Sequence, residues 1–331
     1  MGKTTSLLLT GFLAGILAAT IGFSFIPKTD RAFVLKLGHS LNTSHPVHKS
    51  IEKMKSRLEE LSGDTMTIDI HPGSVLGSEV QCIEQLQNSS LQMTKTSAAA
   101  LESFVPEMAI FGLPYIFRSE EHCWNVLEGP IGERLLEKGK SKSLLGLCFY
   151  DAGSRNFYTK DRPIESPDDL AKLKIRVMSS ATAMDMVEAF GAAPTPIAFG
   201  ELYSALAQGT VDGAENNLPS FASNKHYEVC KHFVLDGHTR VPDILLIGTS
   251  AWERLDEQQQ GWLRQAAEES AKYQRSLWAA ETKKARELAE SEGVTVYEVD
   301  GSAFADKVKP MHDKVESEML KKLLAEIGDV K

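Results

Sequence analysis

The sequence predicts an α/β protein made of two sheet-and-helix units tied together by one long helix. Three observations carry that expectation. Residues 33–95 alternate strand, helix, strand, helix, strand, the opening of a sheet flanked by helices. A second run of strands and helices begins near residue 144. From 256 to about 290 the chain is helix-forming and holds no proline. At 1.5 Å per residue such a helix is roughly 50 Å long, longer than a small domain is wide, so it must lie across both units. The length, 331 residues, suits two domains of roughly 100–200 residues each. A composition of 42% hydrophobic and 24% charged residues is that of a folded globular chain.

The first strand is 33–38 (FVLKLG), apolar and polar in alternation. After a polar loop at 39–44, Ser44 is placed to cap a helix with His45 and Pro46 in its first turn. Val47, Ile51, Met54, Leu58 and Leu61 recur at steps of four and three, an amphipathic face, and Gly63 ends the helix. A strand follows at 66–71, a helix at 78–88 through Val80, Ile83 and Leu86, and a strand at 91–95. In the second unit, 144–150 (LLGLCFY) reads as a buried strand and 156–160 as another. Ser166-Pro167-Asp168-Asp169 opens a helix. Then come a strand at 174–178, helices from about 181 to Gly191 and from 201 to Gly209, and short strands at 211–214 and 244–249. Along the long helix, Trp262, Ala266, Tyr273, Leu277 and Leu288 mark an apolar stripe.

The N-terminal 32 residues start with Lys3 and run apolar or small, without charge, from 7 to 27. A cleaved export signal has this positive start, apolar core and small residues near the cut. A retained anchor also fits, since the run reaches the about 20 apolar residues of a span. Either way the rest of the chain is delivered across a membrane. The net charge is −9, and residues 33–331 carry 33 basic and 44 acidic side chains, or −11. An acidic chain repels a phosphate backbone, so nucleic acid is excluded as a partner. Cys82, Cys123, Cys148 and Cys230 have no CxxC or zinc spacing, and both disulfides and buried free thiols remain open for them.

Enzyme signatures are absent: there is no GxGxxG, Walker A, GxSxG or HExxH. His45-x-x-His48 has the spacing of two metal ligands on one helix face but lacks a third. Lys174-Ile175-Arg176-Val177-Met178 is more informative. Alternation sends Ile175 and Val177 to one face of a strand and Arg176 and Met178 to the other. An arginine there needs an anionic partner, either an internal carboxylate or a ligand's. Arg155, in the turn after the 144–150 strand, carries the same two alternatives. Asp212-Gly213-Ala214-Glu215-Asn216-Asn217 places polar groups after a short strand, where α/β sheets present ligands, although Asn and Gly also favour plain turns.

Taken together and in order, LGHSLNTSHPVHKSI, IHPGSVLGSEVQCIEQLQNSSLQMT, PEMAIFGLPYIFRSEEH and LKIRVMSSATAMDMVEAFGAAPTPIAFGELYSALAQGTVDGAENN resemble the solute-binding proteins of TRAP transporters, the DctP-type family. The last block is the most specific: the arginine strand, the PTP-x-x-F run and the Asp-Gly-x-Glu-Asn end. The resemblance implies a periplasmic-binding-protein-like fold, two α/β lobes with a ligand cleft between them and the long helix spanning both. Lobe I is expected at 33–153 plus 241–280, and lobe II at 154–240 plus 281–331. It implies a periplasmic protein without catalysis or cofactor that closes on an organic acid and delivers it to a membrane permease.

Residue by residue, Arg176 matches the family's carboxylate-binding arginine and Arg155 a second, assisting one. Asn216 matches an asparagine that bonds the ligand from the other side. Phe199 and Met178 are expected to pack on the ligand's apolar atoms. Glu79, Ser97 and Ser40 match polar contact positions, and His39 and Asn217 enrich the pocket in hydrogen-bonding groups. Glu79 opposite the arginines disfavours a second ligand carboxylate, and the GAENN and GHSLNTSHP segments look like those of uronate-binding relatives. The expected ligand is therefore a sugar acid such as glucuronate or galacturonate, with a C4-dicarboxylate or a 2-oxo acid as the alternative within the family. Outside transport, a ligand-presenting sensor and an enzyme using Glu79 and Glu215 are the competing functions.

Overall fold

The computed structural model describes residues 32–331; the segment read as a signal or an anchor lies outside them except for Ala32. The chain runs through β1 (Phe33–Gly38), α1 (Pro46–Ser62), β2 (Met66–His71), α2 (Glu79–Gln87), β3 (Met93–Ser97) and the short α3 (Ala98–Leu101). Helices α4 (Glu120–Leu127) and α5 (Pro130–Glu137) precede β4 (Leu144–Tyr150). Next come β5 (Asn156–Thr159), β6 (Lys174–Val177), α6 (Ala181–Ala189), β7 (Ala193–Pro196), α7 (Leu202–Ala207), β8 (Gly213–Asn216), α8 (Leu218–Ser223) and β9 (His232–Leu235). The chain then enters β10 (Asp243–Gly248), α9 (Thr249–Trp252) and the long α10 (Glu257–Ser291). It ends with β11 (Thr295–Glu298), α11 (Gly301–Val308), α12 (Pro310–Asp313) and α13 (Glu318–Asp329).

Two sheets organise two α/β lobes. The first has the order β2-β1-β3-β10-β4, the second β11-β9-β5-β8-β6-β7. In the first, β10 lies antiparallel between β3 and β4. Its core gathers Ile83 and Leu86 of α2, Val126 and Leu127 of α4, and Leu144, Phe149, Ile244 and Leu246 of the sheet. The second sheet is buried on both faces. Tyr158 and Phe233 point to one core with Phe221, while their neighbours Phe157 and Val234 point to the other with Ile175, Val177 and Phe304, as the two-residue period of a strand requires. Residues 281–331 do not all stay with this lobe: Leu323 and Ile327 of α13 pack into the core of the first sheet.

Two connections cross between the lobes side by side. The β4–β5 link is bridged to the β9–β10 link where Arg155 pairs with Thr239, its N–H donating to the Thr239 carbonyl at 2.8 Å. Helix α10 clamps this ribbon. Tyr150 and Ser270 share a hydroxyl hydrogen bond of 2.7 Å. The Gln274 amide both accepts from the Asp151 N–H and donates to the Asp151 carbonyl, each at 2.8 Å. Gly153 turns the chain at φ +57, and a Cβ there would stand 2.7 Å from Trp278 Nε1, so both the backbone angle and the space demand glycine.

Several expectations shift in detail. The α1 cap is His45, whose Nδ1 accepts from the Val47 N–H; Ser44, one residue earlier, instead donates its hydroxyl to Asn42 Oδ1 at 2.6 Å. The helix opened by Ser166 is a single 3-10 turn, Pro167–Leu170. The apolar stripe of α10 is only partly as expected: Ala266 is buried, in company with Leu263, Ala267, Ser270, Gln274, Trp278, Ala285 and Ala289, whereas Tyr273 and Leu288 are exposed. Strand β8 runs two residues later than 211–214, so Glu215 and Asn216 are buried strand residues rather than loop groups. All four cysteines are buried and free. No helix among the described residues is long and apolar enough to cross a membrane.

Candidate ligand-binding site

The two sheets present their ends to a common cavity between them. Lobe I contributes Ser40 and Leu41 after β1, Glu79 at the start of α2, and Lys95 and Ser97 on β3. Lobe II contributes Arg176 and Met178 from β6 and its end, Phe199, Asn216 at the end of β8, and Asn217 and Ser220 on α8. Arg155, Ala152, Val241 and Asp243 come from the crossover strands and their margins. Nine of the residues expected at the site therefore line one cavity: Ser40, Glu79, Ser97, Arg155, Arg176, Met178, Phe199, Asn216 and Asn217. His39 does not. Its Nε2 lies 3.0 Å from His48 Nδ1 and its Nδ1 accepts from the Leu41 N–H, so it supports the loop that carries Ser40. Burial, with Lys95 and His48 adding, lowers its pKa to about 3, and it stays neutral. His48 in turn meets Glu52 at 3.3 Å. Among the described residues no group of three or more His, Cys, Asp or Glu side chains is placed to hold a metal ion.

The two arginines, equivalent in sequence, differ in company. Arg155 grips the buried Glu215 through Nε and Nη2, with Nη2 also donating to the Glu215 carbonyl and Nη1 to Asn216 Oδ1 at 3.0 Å. Four of its five N–H donors are thus committed inside the protein. Burial opposes both charges, but their attraction outweighs it: Arg155 lies above the ordinary arginine value, and Glu215 falls to about 2. His238 completes the cluster, 2.7 Å from Asp236 and 3.5 Å from Glu215. Burial would discharge it, yet these carboxylates lift it to about 9. The internal-carboxylate alternative is the one the structure realises for Arg155.

Arg176 has no such partner. Its side chain is 2% exposed. Nε donates to the Ile197 carbonyl at 2.8 Å, while Nη1 is buried without a hydrogen-bond partner. Phe199 lies 5.9 Å from the guanidinium carbon. Burial pulls Arg176 below the ordinary arginine value, and Arg155 adds to the effect. A buried guanidinium with an idle nitrogen is costly, and the cavity is where an anion would relieve it.

The facing wall was incompletely read from sequence. Lys95 Nζ bridges Glu79 Oε1 at 3.1 Å and Asp243 Oδ2 at 3.2 Å. Ser40 Oγ and the Ser97 N–H also donate to Glu79 Oε1, each at 3.3 Å. Burial disfavours the Lys95 charge, but Asp243 and Glu79 hold it above the ordinary lysine value. Lys95 was hidden because the strand was set at 91–95 and is in fact Met93–Ser97, which places Lys95 mid-strand. Asp243, a β10 residue, carried no local signal. Asn216, at the end of β8, stands beside Arg155, and its Oδ1 accepts from Arg155 Nη1 at 3.0 Å and from the Asn217 N–H at 2.9 Å. That orients its amide N–H groups as the donors still to be used.

The chain is similar to known proteins in sequence and fold. A solute-binding protein of Chromohalobacter salexigens is 34% identical over 289 residues, 86% of each chain. A TRAP periplasmic solute-binding protein from a Bradyrhizobium species, solved with α/β-D-galacturonate, is 36% identical. It has a TM-score of 0.87 and covers 90% of this chain and 100% of that one. A TRAP protein from Anaerococcus prevotii, solved with D-glucuronate, is 35% identical with a TM-score of 0.87, covering 89% and 97%. Residues 37–318 match the description "bacterial extracellular solute-binding protein, family 7", and the chain therefore belongs to that family, DctP.

Proposed function

We propose that this protein is the periplasmic binding component of a TRAP transporter, that it captures a sugar acid of the glucuronate or galacturonate kind, and that it hands the ligand to the membrane permease. The observation that carries the proposal is Arg176: buried, rigid on a strand, facing the cavity, with Nη1 unpartnered. A ligand carboxylate would take its open donors as a charge-assisted pair. Arg155, with one N–H to spare, assists. Met178 and Phe199 give the sugar ring an apolar floor.

Charge selects the class of acid. Arg155 is neutralised by Glu215, His238 is paired with Asp236, and Lys95 serves two carboxylates. Among the described residues lining the cavity, one cation, Arg176, remains for the ligand, which suits a monoacid whose hydroxyls meet Glu79, Lys95, Asp243, Asn216 and Asn217. A C4-dicarboxylate would bring its second charge against Glu79 and Asp243. The lobes bind the guest between them, dividing where the crossovers pass near 153 and 241.

Thermal denaturation with D-glucuronate, D-galacturonate and succinate tests this. A binding acid at a hundred times its Kd stabilises by about 2.7 kcal/mol, so the uronates should raise the midpoint and succinate should not. Arg176→Ala should remove the uronate shift. A shift that survives in that variant, or one produced by succinate alone, would overturn the assignment.

A further inference from the structure

Taking the sugar-acid reading as given for the choice of ligand, we propose that Glu102 is a latch between the lobes, a positioning residue outside the cavity that sets how tightly the closed protein holds its guest. Glu102 follows α3 in lobe I. Its carboxylate reaches across to the start of α6 in lobe II, where both oxygens are used. Ser180 Oγ donates to Oε2 at 2.5 Å, and Thr182 donates to Oε1 from its backbone N–H at 3.2 Å and its hydroxyl at 3.0 Å. Ser180 is itself the α6 cap, its Oγ accepting from the Ala183 N–H at 3.0 Å. The first turn of α6 is thus finished by a residue from the other lobe, and a negative charge rests at the positive end of a nine-residue helix.

Two further features tie this contact to binding. Helix α6 begins directly after β6, so Ser180 is four residues beyond Arg176. Met178, between them, belongs to the core cluster of lobe I and also lines the cavity. And Gly112 of lobe I meets Thr182 so closely that a Cβ would lie 3.0 Å from the threonine Cβ and Cγ2, so the lobes touch here backbone to side chain. Other hydrogen bonds between the lobes go elsewhere: those of Asn42 to the Ser223 carbonyl and of His45 to Ser220 Oγ at 3.2 Å reach α8, and Tyr115 Oη donates to the Asp236 carbonyl at 3.0 Å beside the crossover. Among the described residues, the hydrogen bonds of Glu102 are the ones that join lobe I to the strand-helix unit bearing Arg176. Separating the lobes strips three donors from Glu102, so its bonds count toward the closed state alone, and a ligand that needs closure inherits their contribution.

The test measures Kd by calorimetry and release by stopped flow, with D-glucuronate and D-galacturonate, for wild type, Glu102→Ala, Glu102→Gln, Thr182→Val and the Glu102→Ala/Thr182→Val double variant. Glu102→Ala should weaken binding by about tenfold, mainly through faster release, with Glu102→Gln intermediate. Thr182→Val should weaken binding less, and should add nothing in the double variant, since the two side chains share one contact. Unchanged Kd and release in Glu102→Ala, or a fully additive double variant, overturns the latch. A lower midpoint with wild-type release marks a merely structural role and also overturns it. If wild type binds neither acid, the ligand reading fails by itself. Small-angle scattering of the ligand-free proteins then decides: a larger radius of gyration for Glu102→Ala supports the latch and an identical one removes it.

Discussion

Arg155 and Arg176 present the same problem in sequence, a cation that needs an anionic partner, and the fold solves it differently for each. Arg155 is part of a closed set of charges; Arg176 is left incomplete. Their replacement should therefore have opposite effects on the ligand-free protein. Arg176→Met removes a buried donor that has no acceptor, and should stabilise the empty protein by about 1–3 kcal/mol while abolishing binding. Arg155→Met strips the fork from Glu215 and should cost about 3–5 kcal/mol. Urea denaturation without ligand reads both, and equal losses would refute the division. That Arg176 stood on a strand was legible from two-residue alternation, and Arg155 from its turn after a buried strand. Which one was spoken for was not, because Glu215 lies 60 residues from Arg155 and only the pairing of β5 with β8 brings them together. Lys95 and Asp243 were hidden for the same reason: their partnership exists only once β3 and β10 are neighbours.

At the level of elements, the length of α10 was readable and its phase only in part. Large apolar residues drew the expected stripe through Tyr273 and Leu288, yet the buried face is mostly Ala, Ser and Gln. The helix is bonded closely to the crossover strand, and a close approach selects small side chains and polar groups that can satisfy the backbone. Gln274 is the clearest case, fully buried and answering both the N–H and the carbonyl of Asp151. Gln274→Ala should orphan both groups and cost about 1–3 kcal/mol each, seen as a lower melting midpoint in the ligand-free protein. An unchanged midpoint would mean that the clamp contributes nothing. Strand β7 was missed because its sequence, APTP, contains two prolines. It sits at the edge of its sheet, the one place where missing N–H donors are tolerated.

For the whole molecule, buried histidines are shifted in opposite directions, and stability should peak between the two sets. His238, raised to about 9, binds its proton more tightly folded than unfolded. Its contribution is complete below about pH 6.5 and is lost as pH rises through about 9. His39 and His226, each lowered to about 3 by burial, are neutral when folded, so acidification from about pH 6.5 toward 3 favours the unfolded chain. Glu215, at about 2, adds an acid-side loss from about pH 4.5 downward. The melting midpoint should therefore be highest near pH 6.5 and fall on both sides, and His238→Gln should flatten the alkaline limb alone. A wild-type midpoint still rising from pH 7 to 9 would contradict this.

The order of the first sheet, β2-β1-β3-β10-β4, also governs when the protein can exist at all. Its strand beside both β3 and β4 is contributed by residues 243–248, nearly a hundred residues after β4 has been made. A growing chain on the ribosome holds four strands of that sheet with a slot between two of them, and the first lobe cannot finish ahead of the second. Domains commonly fold one after another as they emerge, at about 5–20 residues per second; here synthesis must pass residue 248 before either lobe has its full complement of neighbours. The first sheet is thus completed late, by a strand that belongs to the return from the second lobe.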